Sequence, residues 1–279
     1  PEFVVAWLAA LRLGALVMPF STIYRPAELN KVLRIGDVDI LLAPATLLGK
    51  DVHQYLEEAI PGLADQVVER PYFLPGVPYL RSVWITGGAA APWAKDVSVE
   101  ETDTITEVPD EILDQIEMEV VPGDLAQAVY TSGSSALPKG VVHSHGSIVR
   151  TTAAYGAMVQ AGSPGMQAPP LATAFGSPGE AKVFCAFPFF WIGGTLVLGG
   201  ALHGGFTLLC IERFEPQAAL DMVEKERATS IAAWPSLIQS MKSHPTYTGR
   251  DLTCCPMLVE GPSDIALLNS PVPGVPAHR

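Results

Sequence analysis

The run from Tyr130 to His145, YTSGSSALPKGVVHSH, gathers four hydroxyls (Thr131, Ser132, Ser134, Ser135), Gly133, Pro138 and one lysine, Lys139, between the apolar runs AQAVY and VVH. Small residues let backbone N–H groups approach an anion, hydroxyls add donors, and a lysine adds a compact positive charge. The composition is that of a polyphosphate cradle. A solvated Ser/Gly turn shares the small residues, and what favours the cradle is the lysine with an apolar run on each side and a helix after it. His145 lies just past the second of these runs, where it could touch a nucleotide or substrate, or pack the start of the helix. A second run, KVFCAFPFFWIGG, sets Phe189, Phe190 and Trp191 ahead of Gly193 and Gly194. Rings beside glycines make an apolar slot, with the rings as walls and the missing side chains as room, although ordinary core has the same composition.

The first run is not a Walker loop. Lys139 follows Gly133 at the separation that GxxxxGK requires, but Pro138 stands at the second glycine and Gly140 at the Ser/Thr that would hold a metal. A proline has no N–H to give to a phosphate. The run instead resembles the phosphate-binding signature of the adenylate-forming (AMP-binding) superfamily, the acyl-CoA synthetases, luciferases and peptide-synthetase adenylation domains, written Y-T-S-G-[ST]-T-G-x-P-K-G. Ala136 departs from it by replacing the second glycine. KVFCAFPFFWIGG resembles the family's P-x-[FHW]-x-x-G-G signature, whose aromatic residue is Trp191 here. Trp234-Pro235-Ser236 is similar to its V-P-[ST] turn, so Trp234 either lines an acyl tunnel or packs the sheet. Leu258 to Asp264, LVEGPSD, loosely resembles the G-G-A-P turn at the adenine, with Gly261 kept and Glu260 in place of a glycine.

The resemblance implies that Thr131, Ser132, Gly133, Ser134, Ser135, Lys139 and Gly140 bind the nucleotide. Phe189, Phe190, Trp191, Gly193, Gly194, His145, Trp234 and Gly261 would border the substrate, and no residue is assigned to a metal. It implies ATP, Mg2+ and coenzyme A, and activation of a carboxylic acid through an acyl-adenylate to a thioester. The slot carries no acidic residue to pair an ammonium group, so a fatty or aryl acid is expected over an amino acid. The fold implied is α/β, parallel sheets covered by helices, as an incomplete N-terminal domain over residues 1–279. Residues 1–120 form a first α/β part and 121–279 hold the phosphate loop and acyl slot. The C-terminal domain and the catalytic lysine are expected beyond Arg279, and the chain alone is expected to form no thioester. Two rivals stand beside this reading: an inactive binding or scaffold descendant, suggested by Ala136, and a membrane protein.

The elements that must position these residues alternate. Glu2–Leu13 reads as an apolar helix, ALVMPF as a short strand, RPAELNKVLRIGDV as an amphipathic helix and DILLAP as a buried strand. A helix over 51–60, a strand LRSVWIT and an acidic solvated helix and loop over 89–122 follow, then a helix begun by Ser144 and a loop over 161–178. Val183–Ile211 has no formally charged residue and is long enough to cross a bilayer. Its glycine pairs divide it instead into strand, turn, helix, turn and strand. FTLLCIERF, EPQAALDMVEKER and ATSIAAWPSLIQSMKSHP continue as strand, helix, and strand entering helix, an order that predicts a parallel sheet.

The 279 residues, 48% hydrophobic and 16% charged, suffice for a substantial core. A net charge of −12 argues against nucleic acid or an acidic membrane surface as partner. Four cysteines without a C-x-x-C pair give neither a disulfide framework nor a zinc signature. A reducing, cytoplasmic setting follows as the expectation, without an integral membrane segment and with peripheral membrane contact left open.

Overall fold

Helix α1 (Glu2–Arg12) opens the described chain, as its apolar run predicts. The structure is a computed structural model that describes residues 2–88, 91–97, 108–131, 138–161 and 181–259. It divides into two compact units, Pro1–Ser147 and Ile148–Arg279.

In the first unit, α2 (Pro26–Ile35) starts on a proline at its first turn, where the missing N–H costs nothing, and Glu28 accepts the Arg25 amide at 2.8 Å. Leu29, Val32 and Leu33 share its buried face. They pack with Leu56 of α3 (Val52–Ala59), which Asp51 caps by accepting the His53 amide at 2.8 Å. Strand β1 (Ile40–Pro44) precedes a small antiparallel pair, β2 (Thr46–Leu47) and β3 (Lys50–Asp51), that leads into α3. Strands β4 (Ser82–Thr86) and β5 (Ala94–Asp96) complete a parallel sheet of order β1-β4-β5, with Leu41 opposite Val83 and Val83 opposite Ala94. The sheet and helices enclose Val83, Ile85 and Trp93.

Two expectations change here. DILLAP is an edge strand: Leu41 is buried, but Ile40 and Leu42 face solvent. ALVMPF makes no strand. Only Val17 pairs, by a single parallel bridge to Gln127, and Pro19 two residues on has no N–H to extend a ladder. The acidic segment contributes α4 (Asp110–Glu119), which buries no side chain and whose Glu117 pairs with Arg12. Strands β6 (Leu125–Thr131) and β7 (Lys139–Ser144) are antiparallel.

Helix α5 (His145–Ala161) begins where Ser144 accepts the Ser147 amide at 3.3 Å. The second unit then alternates through β8 (Lys182–Cys185), α6 (Ile192–Gly204), β9 (Thr207–Cys210), α7 (Pro216–Glu226), β10 (Ser230–Ala232), α8 (Pro235–Lys242) and the short α9 (Pro256–Val259). Its sheet is parallel in the order β10-β8-β9. Side chains alternate across the central strand. Phe184 enters one core with Leu220 and Val223 of α7 and Ile238 of α8, while Val183 and Cys185 enter another with Val159 and Val197. Covered on both faces, β8 is apolar and buried from Val183 to Cys185. Segment 183–211 is strand, turn, helix, turn and strand, and no described helix is long and apolar enough to cross a bilayer.

Helices α5 and α6 meet through small residues. A Cβ on Gly156 would lie 2.7 Å from the Gly200 carbonyl oxygen, and one on Gly199 would lie 2.5 Å from Thr152 Cγ2. The first obstacle is backbone and cannot swing aside. Gly156→Ala is therefore expected to cost about 1–3 kcal/mol in urea unfolding, the usual range for overpacking. Gly76→Ala, with open space around the added carbon, is expected to stay within about 0.5 kcal/mol of wild type.

Candidate functional site

Strand β6 is buried from Ala126 through Tyr130. It lies between β7 and Val17, whose amide donates to the Ala126 carbonyl and whose carbonyl accepts from the Ala128 amide, both at 2.9 Å. Gln127, fully buried, accepts the Trp7 indole N–H at 2.9 Å, which ties β6 to α1 across 120 residues of sequence. Strand β7 is wetter, with Val141 and Val142 about half exposed. The register sets Tyr130 opposite Gly140 and Thr131 opposite Lys139.

That last pair forms the mouth of the hairpin. The Thr131 hydroxyl donates to the Lys139 carbonyl at 3.4 Å, and both residues are exposed. Lys139, expected within a loop, is the first residue of a paired strand, so its backbone is fixed while its side chain reaches solvent. A lysine and a hydroxyl held side by side suit an anionic oxygen. Gly140 faces the Tyr130 ring, where an added Cβ would make an ordinary contact at 3.4 Å. His145 donates its amide to the Asp124 carbonyl at 2.9 Å, and its Nε2 is buried without a hydrogen-bond partner among the described residues. Ser132, Gly133, Ser134 and Ser135 lie outside the described residues, as does Gly261.

The remaining candidates belong to the second unit and are described by themselves. Trp191 is the N-cap residue of α6 and Trp234 that of α8, so each follows the carboxyl end of a parallel strand, β8 or β10. In open α/β sheets ligands bind at that edge. The two indoles stand edge to face, centroids 5.4 Å apart at 76°, with Phe187 against Trp234 at 4.9 Å and Phe190 against Trp191 at 6.2 Å. Trp191 is 42% exposed and Trp234 43%, which makes them a surface ledge instead of sheet packing. Pro235 directly after Trp234 fixes the turn into α8.

Three details describe the surroundings of the slot read from the sequence. Gly194 has a backbone reason to be glycine, since a Cβ there would meet the Pro188 carbonyl oxygen at 2.3 Å, whereas one on Gly193 would make an ordinary contact with the Phe187 ring at 3.5 Å. Gly194 lets the turn fold onto itself. Phe189, partly buried, packs against the core that holds Val183 and Val197. Phe187, which carries the ledge from beneath, was not singled out, because nothing in its spacing distinguishes it from the neighbouring aromatics.

Comparison with known proteins adds ancestry to this geometry. The AMP-binding enzyme family matches residues 1–261. The chain belongs to that family. It is 24% identical over 262 residues to 4-coumarate–CoA ligase 3 of Arabidopsis thaliana, covering 93% of this chain and 39% of the plant protein. It is 23% identical over 270 residues to a long-chain-fatty-acid–CoA ligase of Bacillus subtilis, covering 94% and 44%. The crystal structure of the N-terminal domain of FACL13 from Mycobacterium tuberculosis superposes with a TM-score of 0.57 at 17% identity, covering 91% of this chain and 52% of that one. The AMP-binding chain thus spans about two fifths of the length of these curated relatives and has a partial form of the adenylate-forming N-terminal fold.

In this member of the AMP-binding family, the Trp7–Gln127 bond is what sequence reading missed, since nothing local pairs residues so far apart. Trp7→Phe removes the indole donor and leaves the buried Gln127 amide oxygen one partner short. The expected loss is about 1–3 kcal/mol by urea unfolding.

Proposed function

We propose that this chain carries the nucleotide-binding and acid-binding parts of an acyl-CoA ligase. The observation that carries the reading is the hairpin mouth: Lys139, exposed on a fixed strand, opposite Thr131, within the run that matches the family's phosphate signature.

In this reading the carboxylate oxygen of the acid attacks the α-phosphorus of ATP. The bond to the bridging oxygen breaks, and pyrophosphate leaves with its electron pair. Coenzyme A thiolate then attacks the acyl carbon of the adenylate and releases AMP, its proton having gone to solvent. The barrier lies in charge gathering on the pyrophosphate. The Lys139 ammonium and the Thr131 hydroxyl, preorganised by the strand pairing, offset that charge. Mg2+, if bound with the nucleotide, would neutralise further phosphate charge. Among the described residues no group of His, Cys, Asp or Glu is placed to hold an ion independently.

The acid's apolar part lies against the Trp191–Trp234 ledge, whose indole faces suit a fatty or aryl group. The names of the relatives include both kinds, a 4-coumarate ligase and a long-chain-fatty-acid ligase. An ATP-consuming ligase using coenzyme A fits a cytoplasmic location. Because the chain covers 39% to 44% of those relatives, binding steps are the ones to measure on it, and thioester formation is expected only from a longer protein.

Mg·ATP binding by calorimetry tests the nucleotide half. Lys139→Ala is expected to weaken binding about tenfold, near 1.4 kcal/mol, and equal affinities, or no binding by wild type, would favour an inactive descendant. Tryptophan fluorescence during titration with an aryl and a fatty acid tests the other half. Trp191→Ala should change the ratio of the two acid affinities while leaving ATP affinity alone. Equal loss for both acids together with weaker ATP binding would remove Trp191 from the acid site.

A further inference from the structure

The Tyr130 ring stands between two backbones that carry no side chain. Gly140 faces the ring across the hairpin, with an added Cβ 3.4 Å from Cε1. Gly36, which closes α2, stands at its far end: a Cβ there would lie 2.7 Å from the Tyr130 hydroxyl oxygen and 2.8 Å from Met18 Sδ. Gly36 has φ −80°, an ordinary right-handed value. Its backbone does not demand glycine, and the bare Cα admits the tyrosine hydroxyl and Met18 Sδ, with the Val32 carbonyl oxygen also 3.0 Å from an added Cβ. The ring is 8% exposed, held by Phe20 at 6.1 Å between centroids and by Met18 Sδ at 3.8 Å from the hydroxyl. The next residue in the chain is Thr131.

We propose that Gly36 is a positioning residue for the phosphate mouth: its missing side chain seats Tyr130, and the seated Tyr130 sets Thr131 against Lys139. The proposal rests on reading that mouth as a phosphate site. A methyl group at position 36 would push the hydroxyl out of its seat. Gly140, Phe20 and Met18 surround the ring, so the displacement passes into the β6 backbone at Tyr130 and from there into the Thr131–Lys139 pair. Nothing in the sequence marks this link, because Gly36 sits in a plain helix-ending RIGD, 94 residues before Tyr130.

The test measures Mg·ATP dissociation constants and hydrogen exchange of the 129–131 and 139–141 amides in the full chain. The proteins are wild type, Gly36→Ala, Gly36→Ala with Tyr130→Phe, Lys139→Ala, and Leu56→Ala as a destabilised control within the same core. Gly36→Ala should weaken binding about fivefold to tenfold, the order an overpacked contact produces, and speed exchange at the mouth. Removing the hydroxyl in the double variant should recover both. Leu56→Ala should lower the unfolding midpoint without opening the mouth. If Gly36→Ala binds and exchanges as wild type does, or if the double variant recovers neither property, the proposal is overturned. If Gly36→Ala does not fold, a folded double variant with wild-type exchange supports the contact, and two unfolded variants overturn it. If wild type and Lys139→Ala bind ATP alike, the phosphate reading itself has failed, and exchange at the mouth alone decides whether Gly36 positions the hairpin.

Discussion

A strand buried over five successive residues can keep a neighbour exposed and still hold it in register. That is the arrangement of β6 and β7. Ala126 to Tyr130 are immersed, with Val17 on one side, β7 on the other, and the Trp7 indole on the Gln127 amide. The polar group that would be costly to bury is bonded, so the strand accepts full burial. Because β6 cannot shift, the register of β7 is fixed, and a slip by one residue would turn Lys139 to the other face. The chemistry proposed for the mouth depends on this constraint more than on any single contact to a ligand.

The second unit meets a similar demand with parallel strands. Its central strand is buried on both faces, and the turns that leave the carboxyl ends of β8 and β10 each put a tryptophan at the start of a helix. Several glycines of this unit serve close approach. Gly194 admits the Pro188 carbonyl, Gly199 admits Thr152, and Gly156 admits α6. Burial also sets the thiol chemistry of this unit: Cys185 is pushed up to about 12 and Cys255 to about 11, both chiefly by desolvation. Neither is a thiolate at neutral pH, so both act as core side chains.

Much of the architecture was legible because periodicity and punctuation are local. The 183–211 run, apolar enough to suggest a membrane span, resolved correctly into strand, helix and strand from its glycine pairs, and α2 followed from Leu29, Val32 and Leu33 at helical spacing. Nonlocal consequences were hidden. ALVMPF has strand composition, yet only Val17 finds a partner, and that partner lies at Gln127. Trp234 reads from the sequence as packing slightly before lining, and its exposure and its ring contact with Trp191 place it on a ledge instead. The backbone role of Gly194 was hidden for a similar reason. A missing side chain signals close approach, but sequence does not say whether a ligand or the protein's own turn is what approaches.

The central claim is that Mg·ATP binds at the mouth of the β6–β7 hairpin. Amide chemical shifts of the chain, followed by NMR through a titration with Mg·ATP, test it most directly. The account predicts that the largest saturable changes fall on Thr131, Lys139 and Gly140, with smaller ones at Tyr130 and His145, and little along α7 and α8. Saturable changes centred elsewhere, with the hairpin resonances unmoved at full occupancy, would contradict it.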